Sequence, residues 1–155
     1  MKLTTTSALN WAEDILRQLG DPVGHTLDVR VSDADREPDV PAGDTAFSSR
    51  LEIHGDEGPV EPPSARHPGS VVVVLAFDDG SSTTVLLEES MTDAQAVALL
   101  AEQLQDSVLE QTGGAPVPPC PGHNHPAVAK VVDGVASWTC PQDGSTRPIL
   151  SGAAR

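Results

Sequence analysis

Cys120-Pro121-Gly122-His123 and, sixteen residues later, Cys140-Pro141-Gln142-Asp143 are the segments whose residue types and spacing can do chemistry. Each offers two metal-binding side chains three residues apart. A tight turn brings such a pair to one side of the chain, and two such knuckles can share the corners of one tetrahedral ion. Pro121 and Pro141, each directly after its cysteine, favour the turn backbone. Cys120, His123 and Cys140 are three candidate ligands, and His125 and Asp143 compete for the fourth place, where a carboxylate is less usual than Cys or His. Two other states are open to these residues: a metal-free hairpin with free thiols, or a disulfide. A Val132–Val135 pairing would set Cys140 opposite Ala127 and far from Cys120, which argues against the disulfide.

What lies between the knuckles matters as much as the ligands. Ala127 to Val132 and Val135 to Thr139 have strand character, and Asp133-Gly134 is a dipeptide favoured in two-residue hairpin turns. Over residues 117–146 the sequence resembles the zinc-ribbon class, with the usual C-x2-C…C-x2-C pattern altered to Cys120, His123, Cys140 and Asp143. It is also similar to a group of small bacterial proteins of uncharacterised function that end in a CPxHxH…DG…WxCP segment. The resemblance implies a structural zinc ion held between the knuckles. Trp138, on the second hairpin strand, is expected to pack the hairpin against the rest of the chain.

Four protein ligands would close the zinc sphere, whereas catalysis needs an open position. Zinc deaminases pair a P-C-x-x-C segment with an upstream H-x-E. Here Pro119-Cys120-Pro121-Gly122-His123 is preceded only by His54-Gly55-Asp56, which carries the wrong acid. Asp33, Asp35, Glu37, Asp39 and Asp44 have the alternation of a calcium loop, but Pro38 occupies the place of its turn glycine. They read as a solvated acidic stretch. His25, His54 and His67 read as surface residues. No nucleophile elbow, phosphate loop or dinucleotide fingerprint occurs.

The elements that must position the knuckles follow from periodicity. Ala8, Trp11, Ala12, Ile15, Leu16 and Leu19 form one helical stripe, with Ser7 as its expected cap and Gly20 as its stop. Thr26 to Ser32 alternates as a half-buried strand, and Phe47 to Ile53 resumes the alternation through Phe47, Leu51 and Ile53. Val71 to Phe77 is uniformly apolar, as in a central strand covered on both faces or nearly so, and Thr83 to Leu87 returns from it. Thr92 and Gln95 form a capping box for a helix running to Gln111. The expected fold is α+β: helix, four-stranded antiparallel sheet with both helices on one face, helix, and then the zinc-ribbon-like hairpin. Residues 1–114 form the main domain, 115–119 a proline-rich linker, and 120–155 the hairpin and tail. Polar loops are expected over 32–44 and 55–69. The sheet's open edges admit pairing into a homodimer.

The 155-residue chain has 23 Asp plus Glu against nine Lys plus Arg, a formal charge of −14. That balance opposes phosphate backbones and anionic lipid surfaces, so nucleic acid and membrane are not expected partners. No apolar run reaches membrane-spanning length, and residues 1–10 lack an export signal, so the chain reads as cytoplasmic. In that compartment two nearby cysteines favour metal or free thiols. The expected function is non-enzymatic: a protein-binding or adaptor protein with a structural zinc site. An acidic inhibitor or immunity-type protein that masks a basic effector is the alternative, and a zinc-dependent hydrolase ranks third.

Overall fold

The computed structural model describes residues 2–32 and 69–150. The strand expected over 47–53, most of the two polar loops, the acidic stretch from Asp33 to Asp44, His54 and His67 all lie outside those residues.

Helix α1 spans Thr5–Gln18. Its cap is Thr4 rather than Ser7: the Thr4 hydroxyl accepts the Ser7 amide at 3.0 Å, and Ser7 Oγ accepts the Thr4 amide at 3.0 Å. Ser7 therefore stands at the third helical position of a capping box, which moves the helix start three residues earlier. At the other end Gly20 adopts φ +90°, its amide donates to Arg17 O, and the Asp21 amide donates to Leu16 O at 2.8 Å. This is the paired closure of a Schellman motif, and only glycine takes that backbone without strain.

Strands β1 (His25–Val31), β2 (Val71–Phe77) and β3 (Ser82–Leu87) form an antiparallel sheet in that order. Among the described residues the sheet is three-stranded, not four-stranded. In β2, Val71, Val73 and Leu75 are buried, while Val72, Val74 and Ala76 are half-exposed. The run is therefore covered fully on one face only. An unbroken series of valines carries no polar residue to mark its outer side, so periodicity could not reveal the difference.

Helix α2 (Asp93–Gln111) starts at the expected capping box, with Thr92 Oγ1 accepting from the Gln95 amide at 3.2 Å and Gln95 Oε1 from the Thr92 amide at 3.0 Å. It packs against α1 and β3 on one side and against a second sheet on the other. That position explains why eight of its residues are buried, including Gln105 and Ser107. The Ser107 hydroxyl bonds Thr83 in β3.

The second sheet has the order β4 (Val128–Val132), β5 (Val135–Thr139), β6 (Thr146–Pro148), all antiparallel. The β4–β5 register is the expected one, Val132 opposite Val135, with Asp133 and Gly134 at φ +50° and +77° as a type I′ turn demands. Strand β6 carries no sequence signal, because three exposed residues ending in proline give no alternation to read. Trp138, 1% exposed, and Ile149 belong to the same buried cluster as Ile15, Leu16, Leu100 and Leu104. The hairpin thus extends the main core across residues 115–119. Among the described residues no helix is long and apolar enough to cross a membrane.

Candidate metal centre

Both knuckles are tips of hairpins. In the first, the His123 amide donates to Cys120 O at 3.1 Å across Pro121-Gly122, and Gly122 sits at φ +75°. Proline followed by a positive-φ glycine is the centre of a type II turn. Below it, the Cys120 amide donates to His125 O and the Ala127 amide to Pro118 O, at 3.1 and 2.9 Å. In the second knuckle the Cys140 amide donates to Ser145 O at 2.8 Å, and Gly144, at φ +75°, donates to Cys140 O at 3.0 Å. This turn is one residue wider, which puts Asp143 at its exposed rim.

The two tips converge at Cys140. Its Sγ lies 3.3 Å from His123 Nδ1 and 4.0 Å from His125 Nε2. The donor atoms of Cys120, His125 and Cys140 all lie within 4.8 Å of one another, as do those of His123, Cys140 and Asp143. All five candidates therefore come together, in two triads that share Cys140. The imidazoles of His123 and His125 stack at 5.0 Å between centroids and 22° between planes. Around a tetrahedral zinc ion with Zn–S of about 2.3 Å and Zn–N of about 2.0–2.1 Å, a sulfur–nitrogen edge spans roughly 3.6 Å. The His123–Cys140 spacing of 3.3 Å is already close to that edge. Cys120, His125 and Cys140 lie close enough to hold a metal ion.

Cys120 and Cys140 are free thiols, 4% and 3% exposed. The expectation that register keeps them far apart is corrected, because their sulfurs share one triad. The Val132–Val135 register does set Ala127 beside Cys140, but the Pro118–Ala127 and Cys120–His125 pairings fold the preceding strand back alongside. Register within one hairpin could not reveal that second pairing.

Burial pushes the Cys120 thiol above its usual pKa, and neighbouring Cys140 adds to the effect. Without a cation the low-dielectric setting favours the neutral thiol; a bound metal ion reverses that balance. Asp143 is held in the opposite direction, down to about 2, chiefly because the Ser145 amide donates to its Oδ1 at 2.8 Å. Its carboxylate is thus already ionised and partly engaged. His125 Nε2 also meets Gln142 Oε1 at 3.2 Å. Gln142 and Ser145 touch candidate ligands without belonging to a motif; only their place in the fold reveals them. His25, on β1, lies outside both triads.

No family model matches this chain, and no significant match appears among curated proteins or solved structures.

Proposed function

We propose that this protein binds one zinc ion as a structural element and acts, without catalysis, by binding another protein. The observation that carries the metal reading is the convergence of four donors from two hairpin tips on a fifth, the buried sulfur of Cys140. Cys120, Cys140, His123 and His125 form the ligand set, giving zinc two thiolates and two imidazoles. Asp143 stays at the rim, because its exposed carboxylate already serves the Ser145 amide, and thiolate-rich sites pair better with imidazole. The centre then has the plan of a zinc ribbon with altered ligands.

Burial of both sulfurs supports a structural role, since an ion among them is screened from substrate. Metal analysis of the purified protein tests the reading: one zinc per chain is expected. The cobalt-substituted protein should show a closed four-ligand thiolate–imidazole sphere. Protein without metal after expression in zinc-replete medium would overturn the metal reading, and an exchangeable cobalt-bound water would favour the hydrolase.

The charge of −14 favours one specific kind of protein partner, a basic one that the acidic surface steers into contact. Capture from a lysate followed by association kinetics tests this: the association rate should fall steeply with added salt. An absent salt effect would leave an uncharged adaptor role in its place.

A further inference from the structure

We propose that Gln18 and Gln105 are positioning residues of the metal centre, each clamping the two strands that carry one ligand loop; this rests on the metal reading above. Gln105, on α2 and only 6% exposed, donates through Nε2 to Val117 O at 2.9 Å and Ala127 O at 2.6 Å. Val117 leads into the first loop and Ala127 leads out of it. Gln18, the last residue of α1, donates through Nε2 to Ile149 O at 2.6 Å and accepts from Trp138 Nε1 at 2.7 Å. Trp138 leads into the second loop, and Ile149 follows it.

Hydrogen bonds that the two stems cannot make for themselves explain why the clamps are needed. Pro118 lacks an amide hydrogen, so its pairing with Ala127 carries only the bond from Ala127 N to Pro118 O, beside the isolated bridge of Pro119 and Pro126. The carbonyls of Val117 and Ala127 need donors from elsewhere, and a buried carbonyl left unpaired is costly. One side-chain amide on α2 supplies both. At the second stem the Ile149 amide donates to Ala136 O, the Ile149 carbonyl needs a donor of its own, and the buried Trp138 indole needs an acceptor. One side-chain amide on α1 meets the Trp138 and Ile149 requirements together. The open bonds of Val117, Ala127, Trp138 and Ile149 thus hand the alignment of both stems to the helices. Ligand convergence depends on that alignment, because Cys120 and Cys140 sit one and two residues beyond Pro119 and Trp138.

The test is zinc affinity of the full chain, measured by competition with a chromophoric chelator, together with cobalt titration of the thiolate charge-transfer band. Gln105→Met keeps the length and removes both donors. Gln18→Glu keeps an acceptor for Trp138 and replaces the donor to Ile149 O and Asp14 O with a carboxylate oxygen. For each variant the zinc dissociation constant should rise by roughly tenfold, the loss expected for one or two hydrogen bonds. The cobalt band should keep its shape and saturate at higher cobalt. Gln103→Met, on the same helix, should leave affinity unchanged. A merely structural role would destabilise metal-free and metal-loaded protein equally and leave both titrations unmoved, which would overturn the proposal. Wild-type protein that binds neither ion would instead overturn the metal reading, so the two failures are distinguishable.

Discussion

Cys140 belongs to both donor triads, whereas each of the other four candidates belongs to one. No neighbouring side chain can replace its sulfur, so Cys140→Ala should abolish stoichiometric zinc, leaving under roughly a tenth of an equivalent by metal analysis. Asp143→Asn should retain about one equivalent, because the ionised carboxylate is held chiefly by the Ser145 amide and lies at the exposed rim. The pair of variants separates the ligand sets directly: loss of zinc in Asp143→Asn with retention in His125→Ala would exchange the roles assigned to the two residues. That choice could not be read from spacing, since both residues lie within reach of the other three in sequence. Burial and the Ser145 bond distinguish them.

At the scale of elements, the turns make their own demands. Gly134 has φ +77° in the β4–β5 turn, with open space where a Cβ would go. Gly134→Ala therefore meets no clash, and its cost is conformational, about 1 kcal/mol by urea denaturation. The β2–β3 turn is tied to the end of α2 through Asp79, which accepts from the Ser81 hydroxyl at 2.6 Å, the Ser81 amide at 2.9 Å and Gln111 Nε2 at 3.0 Å. Hydrogen bonds from the Ser81 and Gln111 side chains hold its pKa near 2, below the ordinary 3.8. A depressed folded-state pKa contributes stability that is present above pH 3.8 and lost as pH falls toward 2. Asp79→Asn should flatten that part of the acid-unfolding profile, measured as urea midpoint against pH. The elements themselves were largely legible. Thr92 and Gln95 announced α2, Asp133-Gly134 announced the hairpin, and the Ala8–Leu19 stripe announced α1 even though its cap was misplaced. What could not be read was set by contacts distant in sequence. The pairing that draws Cys120 to Cys140, the short β6, and the glutamine clamps leave no periodic trace.

At the scale of the whole molecule, the C-terminal sheet could unfold by itself or together with the rest. Composition favours independence, since prolines 116, 118 and 119 separate it from the main domain and a hairpin of some thirty residues is too small to fold alone. Zinc removal would then melt only the tail. The packing argues for coupling instead: Trp138, Ala136 and Ile149 join the core made by α1, α2 and β2, and α2 is buried between both sheets. Withdrawing the hairpin would expose one side of α2 and break the Gln18 and Gln105 bonds together. Chelation should therefore lower a single thermal transition of the entire molecule. Zinc at about a thousand times its dissociation constant stabilises by roughly 4 kcal/mol, which for a chain of this size corresponds to about 10 °C. Far-UV circular dichroism reports the helices, and amide exchange of β4 and β5 reports the hairpin. The two should move together; exchange that quickens in the hairpin alone after chelation, with the helical transition unmoved, would show that the proline segment is a true domain boundary.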